Sequence, residues 1–105
     1  MESYIQVVTT VEKREDAKRI AITLVERKLA ACVQIAGPID SIYHWKGKVE
    51  KAEEWQCIIK SRGDLYEKIE EAIKAVHPYE MPEIIATPIA TGSRGYLEWL
   101  RKETI

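Results

Sequence analysis

Residues 31–61 read as one long β-hairpin folded at Trp45-Lys46-Gly47-Lys48, and no other feature of the chain limits its fold as strongly. Each arm is about 15 residues, which at about 3.3 Å per residue makes roughly 50 Å of strand. A compact domain of this size has a radius of gyration of about 13 Å, hence a diameter nearer to about 35 Å. The hairpin is too long for the domain that carries it. Apolar residues continue along both arms, among them Val33, Ile35, Ile39, Ile42, Tyr43, Trp45, Val49, Trp55, Ile58 and Ile59. The overhang needs a second surface to cover it, and another copy of the same chain is the expected one.

The rest of the chain supplies the elements that anchor this hairpin. Tyr4-Ile5-Gln6-Val7-Val8-Thr9 has strand composition, and Ala17, Ile20, Ala21, Leu24 and Val25 then recur at helical spacing up to about Lys28. Within the first arm, Gly37-Pro38 predicts a bulge or a bend, because proline cannot donate to a ladder. Asp64 and Glu67 stand at capping-box spacing, which predicts a second helix beginning at Asp64 with Leu65, Ile69, Ala72, Ile73 and Val76 as its buried stripe. The segment His77-Pro78-Tyr79-Glu80-Met81-Pro82 is held extended by its two prolines. Residues 83–89 form a fourth strand, apolar on both faces and therefore expected at the centre of the sheet. Gly92-Ser93 then caps a short third helix carrying Tyr96, Leu97, Trp99 and Leu100.

The order βαββαβ with a C-terminal helix is the α+β, ferredoxin-like arrangement, expected as one domain over residues 1–105. Right-handed crossovers place both main helices on one face of a four-stranded sheet. The usual strand order, 4-1-3-2, leaves the second strand at an edge, and an edge so long and apolar must be paired or covered.

Charge and cysteine content narrow the classes of function. The 16 basic and 17 acidic residues leave a formal charge of −1 without blocks of one sign, so no nucleic-acid surface is expected. No apolar stretch approaches membrane-spanning length, and residues 1–4 lack the start of a secretory signal, so a cytoplasmic protein with no membrane insertion is expected. If Lys46 and Gly47 make a two-residue turn, Cys32 faces Ser61 and Cys57 faces Ala36, leaving the thiols about 13 Å apart along the ladder. A three-residue turn instead puts them on opposite faces. Either arrangement predicts two reduced cysteines. The chain has no Asn and is rich in Glu, Lys and Arg, which points to a heat-adapted, thermostable protein.

Five separated stretches together resemble the CutA, or divalent-cation tolerance, family: Ala30-Ala31-Cys32-Val33-Gln34-Ile35; Ser41-Ile42-Tyr43-His44-Trp45-Lys46-Gly47-Lys48; the strand from Glu54-Trp55-Gln56 to Lys60; His77-Pro78-Tyr79-Glu80-Met81-Pro82-Glu83-Ile84; and Tyr96-Leu97-Glu98-Trp99-Leu100. The resemblance runs from the first strand to the last helix. It implies a homotrimer of ferredoxin-like subunits embraced by their long hairpins, similar to the PII signalling proteins, and an association with copper tolerance and copper binding. It also implies an intersubunit pocket bordered by Cys32, Trp45, Glu54, Lys60, His77, Tyr79 and Glu83. In the family, copper ligands are assigned to a cysteine at the end of the first strand and a His-His pair before Pro-Tyr. This chain has Thr9 and Val76-His77 there, so His77 carries over, with Cys32 as the other candidate metal ligand.

Each candidate has a structural alternative. His77 follows a helix and can satisfy its terminal carbonyls, Lys60 and Glu83 can form an interfacial ion pair that fixes register, and Trp45, Trp55 and Trp99 can serve as packing anchors. No phosphate loop, nucleophile-base spacing or cofactor fingerprint is present, so catalysis is not expected. Strand aromatics of the kind that stack RNA bases are also missing. The functional expectation is a homotrimer that acts in tolerance of, or response to, a divalent metal such as copper, binds metal or a small ligand and requires no cofactor. A PII-like adaptor docking on a membrane protein or enzyme is the alternative, followed by an enzyme with an intersubunit site.

Overall fold

The computed structural model describes residues 3–105. Its elements are β1 (Tyr4–Val11), α1 (Arg14–Glu26), β2 (Cys32–Trp45), β3 (Lys48–Arg62), a 3-10 turn (Gly63–Leu65), α2 (Tyr66–Val76), β4 (Ile84–Pro88) and α3 (Arg94–Lys102). The four strands form one antiparallel sheet in the order β2-β3-β1-β4. This is the expected ferredoxin-like α+β order, closed at the C-terminus by a further helix.

The core lies between one face of the sheet and helices α1 and α2. Alternation in β1 and β3 sends Val7, Val11, Cys57 and Ile59 inward, where they meet Ala17, Ile20 and Leu24 of α1 and Ile69, Ala72 and Ile73 of α2. Fully burying each branched aliphatic side chain contributes about 1.5–3 kcal/mol, so this face supplies most of the driving force for folding. Leu100 of α3 is fully buried outside that cluster. Helix α3 lies against β3, and Ser93 caps it by accepting from the Tyr96 amide at 3.4 Å.

The hairpin turns in two residues, Lys46 and Gly47, both at positive φ (51° and 80°), the twist that suits a tight antiparallel pair. Ala36 pairs with Gln56 and Ile39 with Glu54, so Gly37 and Pro38 together oppose Trp55 in a bulge. Gly37 sits at φ +150°, and a Cβ there would meet Trp55 Cε3 at 2.9 Å. The extra residue changes the pairing expected from the turn alone. Cys32 lies opposite Lys60 rather than Ser61, and Cys57 opposite Ile35 rather than Ala36, which places the two thiols on opposite faces of the sheet. Both are free.

Two further expectations are corrected. Asp64 does not cap α2: it lies in the 3-10 turn with its carboxylate 3.6 Å from Arg62, and Leu65 is the N-cap without a side-chain cap. The strand β4 is an edge, paired to β1 only, and Ile85 on it is 55% exposed. Its apolar character on both faces therefore reflects surface left uncovered in one chain, not a central position. The molecule measures 44 × 25 × 22 Å with a radius of gyration of 14.3 Å, larger than the roughly 13 Å of a compact chain of this length. The hairpin accounts for the excess, with Ile42 and Val49 near its tip exposed by 69% and 67%.

Candidate functional site

On the sheet face away from α1 and α2, a groove of ≈ 340 Å³ runs along the root of the overhang. Its floor comes from the hairpin. Past the bulge, Ser41 pairs with Ala52 and Ile39 with Glu54, so alternate residues Tyr43 and Trp45 share a face with Ala52 and Glu54. Glu12, just after β1, and Tyr79, Glu80, Met81 and Glu83 from the loop between α2 and β4 complete the walls. Pro78 and Pro82 restrict that loop to extended backbone, which carries it across the end of β1 instead of continuing the helix.

Glu54 is the buried acid of the groove, 6% exposed. The Tyr79 hydroxyl donates to its Oε2 at 2.7 Å. Burial first, and then the Glu54 carboxylate, push the Tyr79 phenol well above its usual range, so it remains a hydrogen-bond donor.

His77 fixes the loop from behind. Its Nε2 stands 3.0 Å from the Thr10 carbonyl oxygen, which can only accept, and its Nδ1 accepts from the Tyr79 amide at 3.1 Å. The ring is therefore the neutral Nε2–H tautomer, with both nitrogens engaged. Desolvation holds its pKa below the usual value, against the pull of Asp16, Glu54 and the Thr10 bond. Its ring reaches the β1 carbonyl, not the terminal carbonyls of α2, while its backbone N–H closes the helix onto Ile73 at 2.9 Å. The ring also meets Tyr79 edge-on at 4.9 Å between centroids.

The residues expected to border one pocket fall into two groups. Trp45, Glu54, Tyr79 and Glu83 line the groove, with His77 bonded behind them. Cys32 and Lys60 face each other on the ladder six residues along β3 from Glu54, about 20 Å away. There Lys60 donates to Gln34 Oε1 at 2.8 Å, and Tyr96 lies close enough to Cys32 that the thiol adds to the upward push of burial on the phenol. Within one chain Lys60 and Glu83 do not meet. Cys32 and His77 are also apart, since the Thr10 level is four ladder positions from Lys60, about 13 Å, and lies one strand further over. Among the described residues, no three His, Cys, Asp or Glu side chains are grouped to hold a metal ion. Cys57 points into the core, where burial pushes its thiol up to about 11.

Five lining residues were not anticipated: Glu12, Tyr43, Ala52, Glu80 and Met81. The hairpin pair had a signal, since Tyr43 is two residues from Trp45 and shares its face. Glu12 follows Thr10 by the same step.

A model of the CutA1 divalent ion tolerance protein family matches residues 5–103. The "Divalent-cation tolerance protein CutA" of Thermus thermophilus is 47% identical over 98 residues, covering 93% of this chain and 95% of that one. A protein of Arabidopsis thaliana named "Protein CutA, chloroplastic" is 48% identical over 100 residues, 95% of this chain, which spans only 55% of its length. The crystal structure of CutA1 from Oryza sativa has a TM-score of 0.95 at 45% identity, covering 98% of this chain and 94% of that chain.

Proposed function

The chain belongs to the CutA1 divalent ion tolerance protein family, and on that premise we propose that it acts as a homotrimer in tolerance of, or response to, a divalent metal such as copper. In this reading it binds metal or a small ligand between copies and turns over no substrate. The observation that carries it is the uncovered overhang, where Ile42 and Val49 stand more than two-thirds exposed on a hairpin longer than its own domain. Apolar surface of this kind is covered by a partner, and a closed ring of identical subunits covers one hairpin per copy. Both cysteines are free, which suits a reducing compartment such as the cytoplasm.

The separation of Cys32 and His77 gives the copper proposal a definite form. A copper ion shared between them is held between copies, Cys32 from one and His77 from another. His77 then has to release either the Tyr79 amide or the Thr10 carbonyl. The pocket proposed from Cys32, Trp45, Glu54, Lys60, His77, Tyr79 and Glu83 likewise takes its Cys32 and Lys60 from a neighbour.

Light scattering and copper calorimetry test this reading together. A trimer at micromolar concentration, with saturable copper binding that is lost in Cys32→Ser or His77→Ala, supports it. A compact monomer rejects the assembly, and binding that survives both substitutions rejects the ligands.

A further inference from the structure

We draw no further inference here: the strongest candidate, the apolar hollow where Ala21, Ile22 and Val25 of α1 meet Val33 of the edge strand β2, leaves Ile22 and Val25 exposed by 53% and 42%, but nothing in the structure shows what covers it.

Discussion

Tyr79 and Glu54 are joined across 2.7 Å, hydroxyl to carboxylate, and this bond ties the loop after α2 to the middle of β3. A hydrogen bond to a charged group contributes about 1.5–3 kcal/mol. Tyr79→Phe removes it at nearly constant volume. The expected result is a loss within that range, read by urea denaturation at fixed protein concentration. A midpoint shared with the wild type would show that the loop is held by other contacts.

His77 makes stability depend on pH through its neutral tautomer. Protonating Nδ1 replaces an acceptor by a donor facing the Tyr79 amide, and burial opposes the charge while Asp16 and Glu54 favour it. The folded-state pKa lies below the unfolded value of 6.5, so the folded state takes up its proton later as pH falls. The contribution is complete above that value and is lost as pH falls through the folded one. Thermal melts from about pH 8 to about pH 5 are expected to show a decline that His77→Gln, which has no titration there, reduces. Parallel profiles for the two proteins would contradict the assignment.

Gly37→Ala puts a Cβ at 2.9 Å from the Trp55 ring and at a φ of +150° that L side chains rarely adopt. A loss of more than about 1 kcal/mol is expected. Gly47→Ala offers the contrast, since no atom lies within 4 Å of its Cβ position and only the positive φ opposes it. Equal losses at the two sites would remove the role given to Trp55 contact.

Thr9 is fully buried on the helix-facing side of β1, and among the described residues its Oγ1 has no hydrogen-bond partner. Thr9→Val exchanges that hydroxyl for a methyl of similar shape. The expected gain is about 1 kcal/mol. A destabilised variant would mean that the hydroxyl finds a partner in solution.

Trp45 closes the distal end of the groove and is 39% exposed in the single chain. As an aromatic anchor at an interface, its truncation to Ala is expected to weaken assembly by about 2 kcal/mol per contact. Dilution followed by light scattering measures this. An unchanged dissociation profile would show that the tip lies outside the interface.

Periodicity and geometry made much of the architecture readable from the sequence. The spacing of Ile20, Leu24, Ile69 and Ile73 located both core helices, and Lys46-Gly47 located the turn. The bulge at Gly37-Pro38 was readable as an interruption, but its shift of pairing was not, because proline shows where a ladder breaks and not how many residues are looped out. Asp64 and Glu67 had the spacing of a cap, yet a 3-10 turn moved the helix start to Tyr66. Residues 83–89 showed the limit of composition, since an apolar strand at an uncovered edge looks the same as one at the centre. The groove was legible through Trp45, Glu54, Tyr79 and Glu83, whereas Glu12 and Met81 reach it only by the path of the chain in space.

The bulge has a consequence for how the arm is aimed. Because Gly37 and Pro38 share a single partner, the pairings on either side of them, Ala36 with Gln56 and Ile39 with Glu54, would both survive the loss of one residue. The ladder would become regular, every side chain would keep its face, and the local bend would relax. Body and arm are thus adjustable by separate means: the core sets what the arm is attached to, and one spare residue sets the direction in which it reaches.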